Sequence, residues 1–285
     1  AMVAPRIIAL HVGDTAVERY ETVRSSLDLG AREAPVVPYG PVAYVPSATV
    51  VCRRSAVLEV GGFDESLHSG EDVDLCWRLV ESGSRLRYEP VALVAHEHRT
   101  QLGQWLSRLA FYGGSAAPLA IRHPENTAPL VIPLWSLLAW ASLATGSVPG
   151  VAAGVLFAGL YTRRVAAAVR NTDATAGDVA GLAARGLVYG ARQLAAAGCR
   201  HYWPAALAAA VVSRRCRRAV LAAAVIDAVQ DWATRKPVPD ETGRPIGPLG
   251  YMLFKRAGDL AYGAGLWAGV VRERTLQPLR PDIKR

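Results

Sequence analysis

Aromatic side chains are scarce, at 7% of 285 residues, and the 4 cysteines (Cys52, Cys76, Cys199, Cys216) fall into no C-x-x-C or other metal or redox spacing. That leaves reduced, structural thiols and argues against a zinc ribbon or a redox centre. No Gly-rich phosphate loop of the Walker or Rossmann kind is present, so the common mononucleotide and dinucleotide cradles are excluded. No signal-peptide pattern opens the sequence; Val3 to Leu10 reads instead as a strand from the middle of a domain. Charge is missing altogether between Thr127 and Thr162. The arginines that flank this gap border apolar runs and are not interleaved with exposed aromatics, which argues against a nucleic-acid partner.

Charge is unevenly placed. Residues 1–126 hold 12 basic and 15 acidic side chains, whereas residues 127–285 hold 20 and 9. A slightly acidic polar half followed by a basic, Ala-rich half predicts a soluble domain joined to a membrane element. In the first half, strands are predicted over Arg6–Leu10, Ala43–Cys52, Arg85–Tyr88 and Val91–His96. Helices are predicted over Val17–Leu27, Arg53–Val60 and from Ser69 or Gly70 to Ser82, with Gly83 in the left-handed terminal position. This alternation predicts an α/β domain.

Gln101–Gly113, with Trp105, Leu106, Leu109, Phe111 and Tyr112, reads as an amphipathic interface helix, followed by a linker to residue 126. Residues 127–162 are too many for one membrane span, and Gly146-Ser147-Val148-Pro149-Gly150 breaks them, so a transmembrane hairpin is expected, with a second arm of about 12 residues. Arg122 before it and Arg163, Arg164 and Arg170 after it place both ends in the cytoplasm. A buried hairpin in a soluble core is the alternative. Residues 163–285 are expected to be helical and membrane-associated. Gln193–Val212 spans only if Arg200 is sheltered. Arg214, Arg215, Arg217 and Arg218 form a cluster that suits lipid headgroups or a solvated face, and Lys236–Pro248 is predicted to be a loop.

The chemistry is concentrated between Gly61 and Arg78. A glycine turn delivers the acidic loop Phe63-Asp64-Glu65. A second glycine, Gly70, then opens a helix with Glu71 and Asp72 at its start. A carboxylate held there can face a cleft and take a proton from a substrate hydroxyl. Asp72-Val73-Asp74 also spells D-x-D. On a helix, however, residues two apart point about 200° apart and chelate one ion poorly. Val91 to Arg99 ends a strand in His96 and His98. Imidazole there would suit Mn²⁺ better than Mg²⁺, and a structural or surface role for either ring is the alternative.

The Gly61–Arg78 segment resembles the G-G-F-D-E…G-E-D-x-D-L…R pattern of family-2, GT-A-fold glycosyltransferases, about ten positions over 18 residues. The resemblance implies a partial GT-A-like α/β domain at residues 1–100, with the nucleotide-binding half missing, followed by an all-α membrane-associated region. It makes Asp72 the general base of an inverting transfer. It places Glu71, Gly70, Asp74, Trp77, Arg78 and Ser47 around the substrate, and His96 and His98 near a divalent metal (Mn²⁺ or Mg²⁺) or the diphosphate. The Gln104-Trp105-Leu106-Ser107-Arg108 order departs from the Q-x-x-R-W motif of processive relatives.

Further segments, among them Tyr44-Val45-Pro46-Ser47-Ala48, Phe111-Tyr112-Gly113-Gly114 and Leu260-Ala261-Tyr262-Gly263, resemble the actinobacterial mycofactocin-system branch of that family. This implies a UDP-glucose donor, a peptide-derived acceptor (mycofactocin or its precursor), membrane lipids as partners, and a cell-membrane location with the catalytic part on the cytoplasmic side. A glycan or lipid-linked acceptor of the cell envelope, and a catalytically dead membrane scaffold, are the rival expectations.

Overall fold

The computed structural model describes residues 1–11, 13, 15–234 and 246–285. In chain order the elements are strand β1 (Met2–Ala9), helix α1 (Ala16–Arg24), strands β2 (Ala34–Pro35) and β3 (Val51–Cys52), helices α2 (Arg54–Glu59) and α3 (Glu71–Glu81), strand β4 (Leu86–His96), helices α4 (Leu102–Gly114) and α5 (Ala116–Arg122), strand β5 (Val131–Pro133), helices α6 (Leu134–Leu143), α7 (Val148–Ala168), α8 (Ala176–Arg200), α9 (Trp203–Val212), α10 (Arg214–Thr234) and α11 (Pro248–Glu273), and strand β6 (Asp282–Lys284). They form two compact units, Ala1–Thr127 with Val229–Pro278, and Ala128–Ala228 with Leu279–Arg285. Most of the loop expected over Lys236–Pro248 lies outside the described residues.

The first unit is built on a mixed sheet of order β2-β4-β1-β3. β1 and β4 run parallel from Met2↔Leu86 to Ala9↔His96, and the register slips between Pro5 and Arg6, where Glu89 is followed by Leu93 as partner. Pro90 has no N–H to give a ladder, so Pro90, Val91 and Ala92 bulge out. The two strands expected around Glu89-Pro90 are therefore one bulged strand. The strand expected over Ala43–Cys52 is realised only at its end. Pro46 removes one donor, and the carbonyl of Ala43 accepts from the Trp77 indole at 2.9 Å, so this segment bonds to α3 instead of to a neighbouring strand.

Helix α3 lays Leu75, Cys76 and Leu79 on the sheet against Met2, Val36, Leu86 and Tyr88, the main core. Each large side chain buried there contributes about 1.5–3 kcal/mol. Helix α1 starts in a capping box between Thr15 and Glu18. It stops at Arg24, short of the expected Leu27, because Ser25 is extended and its hydroxyl accepts from the Leu27 N–H at 3.1 Å. Tyr20 of α1, Trp105 of α4 and Tyr251 of α11 make a second core. Trp105 therefore sits inside this unit, while side chains such as Leu102 and Phe111 of α4 face outward. Helices α4 and α11 cross at very close range: a Cβ at Gly113 would overlap the Tyr262 carbonyl, and one at Gly265 would overlap that of Ala110.

In the second unit, α6 and α7 form the expected helical hairpin. Gly146 turns at φ 61°, and Ser147 caps α7 by accepting from the Gly150 N–H at 3.1 Å. The lengths of the arms are the reverse of those expected. α7 has 21 residues and is long and apolar enough to cross a membrane. α6 has 10 residues, a rise of about 15 Å against a hydrocarbon core of about 30 Å. It is short because Val131–Pro133 is spent on a parallel ladder with β6, and the Gln193 amide holds both the N–H and the carbonyl of Val131 at 3.1 and 2.9 Å. This ladder also corrects the all-α expectation for the second half. Gln193–Val212 is not one helix: α8 ends at Arg200 and α9 begins at Trp203, with Pro204 in its first turn.

Candidate active site

Helix α3 begins where backbone geometry demands glycine. Gly70 has φ 81°, and a Cβ there would press on Leu119 at 2.8 Å and Ser115 at 3.1 Å. Upstream, Gly61 and Gly62 also take positive φ, 85° and 73°. Arg78 holds that turn by donating to the Val60 carbonyl and, at 2.7 Å, to the Gly62 carbonyl. Asp64 accepts from the Ser66 hydroxyl (2.6 Å) and N–H (2.9 Å) and from Arg122 (2.9 Å). These bonds, Ser66's first, hold its carboxyl down to about 2.

Asp72 lies half-buried in the first turn of α3. One oxygen accepts from the Val73 N–H at 2.8 Å and the other from the Ser47 N–H at 3.3 Å. Burial raises its pKa above the ordinary Asp range and the neighbouring Glu71 adds to the rise, against the pull of the backbone donors. The result is a carboxylate that is more basic than usual yet not sealed away. Ser47 is exposed and Glu71 half-buried. Ser47, Gly70, Glu71 and Asp72 are thus brought together at one helix start.

The other three residues expected at the substrate face inward. Asp74 is 2% exposed. One of its oxygens meets Arg78 at 2.6 Å and the other meets His123 Nε2 at 2.8 Å. The pairing with Arg78 is buried at the Asp74 end. The Trp77 indole N–H is spent on Ala43, and its ring meets the edge of His123 at 5.2 Å. Asp74, Trp77 and Arg78, expected around the substrate, thus spend these polar atoms on holding α3 and the glycine turn. His123, whose Nδ1 lies 3.1 Å from Glu81, was missed. A sequence signal for it was its place directly before Pro124.

No hydrogen bond or ion pair among the described residues joins His96 or His98 to the Asp72 group. Their rings lie 5.9 Å apart. His98 Nδ1 is 3.7 Å from Glu21, which accepts from the Trp105 indole at 2.7 Å. Burial pushes Glu21 up to about 7, and burial followed by the neighbouring His96 pushes His98 down to about 4. At neutral pH His98 is thus uncharged, and its contact with Glu21 is not an ion pair. Buried His96 Nδ1 and His98 Nε2 have no hydrogen-bond partner among the described residues, and neutral imidazole is the ligand form. Even so, no group of three or more His, Cys, Asp or Glu side chains suited to a metal occurs among the described residues. Two imidazoles alone do not fit a divalent metal.

A model described as glycosyl transferase family group 2 matches residues 1–211. The chain belongs to that family. Members of the family commonly use a divalent metal. Two curated relatives from Mycobacterium tuberculosis, strains CDC 1551 / Oshkosh and ATCC 25618 / H37Rv, are both named pre-mycofactocin glycosyltransferase. Each is 60% identical over 284 residues, covering 100% of this chain and 60% of the relative. The family-2 chain therefore spans about three fifths of the length of these relatives. No solved structure matches it.

Proposed function

We propose that this chain carries the acceptor side of an inverting glycosyl transfer in which Asp72 is the general base. The acceptor hydroxyl gives its proton to Asp72 as its oxygen attacks the anomeric carbon. The bond from that carbon to the diphosphate breaks, and its electron pair leaves with the nucleoside diphosphate, so an α-linked donor gives a β-glycoside. The placement of Asp72 carries this reading: half-buried, raised in basicity, and steadied by the Ser47 N–H at 3.3 Å. Glu71, Gly70 and Ser47 line the acceptor side. His96 and His98 are the candidates to face the leaving diphosphate.

The donor we propose is UDP-glucose. The acceptor is the mycofactocin precursor, supported by the name of the relatives and the 60% identity. Residues 1–100 supply the transferase half and 101–126 the linking helix and its extension. Residues 127–162 and 163–285 supply membrane association, through α7, the one helix among the described residues long and apolar enough to cross a membrane, with the catalytic part on the cytoplasmic side.

The test is Asp72→Asn in the full-length enzyme, assayed with UDP-glucose against the precursor peptide and, in parallel, a lipid-linked acceptor. Turnover of the precursor should fall about 10²–10⁴-fold with the circular dichroism spectrum unchanged. Normal turnover removes Asp72 from the mechanism, and turnover of the lipid-linked acceptor alone replaces the proposed substrate. Because the active form is the carboxylate, the wild-type rate should fall as pH drops through a value above the ordinary Asp pKa of about 3.9.

A further inference from the structure

We infer that the elbow between α9 and α10 is a docking surface for an anionic phospholipid bilayer. The inference deepens the membrane association proposed above and rests on it. α9 ends in Val211 and Val212, which are 81% and 88% exposed. One residue later α10 opens with Arg214, Arg215, Arg217 and Arg218, all exposed. None of the four has an ion pair among the described residues, and the first turn holds no acidic side chain. The cluster works against the stability of the helix. Arg214 meets Arg217 and Arg218 at i,i+3 and i,i+4, and Arg215 meets Arg218 at i,i+3, all like-charge neighbours. These cations also sit at the end of the helix where the backbone dipole is already positive.

The same face continues into apolar side chains. Arg214, Arg218, Leu221 and Val225 follow one another at helical spacing, and Leu221 and Val225 are both exposed. A cationic collar beside an exposed aliphatic stripe is the pattern of a helix that lies in a membrane interface. There the arginine stems cover the lipid boundary and the guanidinium groups meet phosphates. An anionic headgroup layer would offset the like-charge repulsion and cover Val211, Val212, Leu221 and Val225 together. A nucleic acid would answer only the charge.

The experiment is flotation of the 285-residue chain with vesicles of phosphatidylcholine alone and of phosphatidylcholine mixed with phosphatidylglycerol. Each basic residue near an anionic surface is worth about fivefold in partitioning. The fourfold variant R214Q/R215Q/R217Q/R218Q should therefore lose at least about a hundredfold of the preference for mixed vesicles. The corresponding fourfold Lys variant should keep it, and added salt should weaken it. Equal binding to both vesicle types, or an unchanged preference in the Gln variant, overturns the docking surface and leaves the membrane reading standing. Binding to neither vesicle overturns both. Tighter binding to a short RNA duplex than to mixed vesicles at the same salt also overturns it. None of these outcomes touches the transfer chemistry, which is read by turnover.

Discussion

The two units bury opposite kinds of residue. In the first, large side chains go inside: Ile7, Leu75, Leu79 and Tyr88 are almost wholly buried. Charges that follow them are paired, as Asp74 is with Arg78 and His123. In the second, the helices bring small residues together. A Cβ at Gly190 would meet Ser136 at 2.6 Å, one at Gly154 would meet Leu143 at 2.7 Å, and Ala183 and Ala197 are buried. Large side chains there point out: Val155 and Leu156 of α7, Tyr189 of α8, Val211 and Val212 of α9. Leu130 and Ile132 are the exception, forming a small conventional core with Ala197. Water drives large apolar groups inward, so the first pattern belongs to an aqueous fold. Close helix contact through small residues, with large aliphatic groups outside, suits surroundings as apolar as the side chains themselves.

The comparison breaks most readily inside the first unit, where small residues are also used, at the crossing of α4 and α11. Gly265→Val should cost more than about 4 kcal/mol, because the added carbons would enter the Ala110 backbone, which cannot swing aside as a side chain can. Denaturant unfolding of the full chain measures it. A loss under about 1 kcal/mol would show that the crossing is looser than its geometry. Asp74→Ala comes next, at about 3 kcal/mol, near the low end for breaking a buried pair because Arg78 keeps some solvent. Its loss of turnover should follow its loss of fold. Full stability with lost turnover would restore Asp74 to the substrate.

Local chemistry was legible in the sequence and long-range pairing was not. The turn at Gly61-Gly62, the start of α3 at Gly70 and its stop at Gly83 are written in glycines that take positive φ, a property of single residues. Leu75 and Leu79 were legible as a core pair from helical spacing alone. His123 was not: it meets Asp74 across 49 residues of chain, and no periodicity announces such a contact. Nor was the pairing of β5 with β6, since three residues carry no period and their partner lies at the far end of the chain. The segment Ala43–Val50 had strand composition but gave its carbonyl to Trp77, a choice made by packing and not by propensity.

The smallest expected effect sharpens the contrast most, as a matched pair of Leu→Ala changes. Leu79 is fully buried between α3 and the sheet, so Leu79→Ala should cost about 2–5 kcal/mol through lost transfer energy and the cavity left behind. Leu156 is 61% exposed on α7, where truncation opens no buried cavity, so Leu156→Ala should stay within about 0.5 kcal/mol. Thermal unfolding of both variants of the full chain in the same detergent measures the difference. If the Leu156 change costs as much as the Leu79 change, Leu156 packs against protein. The outward-facing pattern of the second unit would then be the inside of an interface, not a surface suited to lipid.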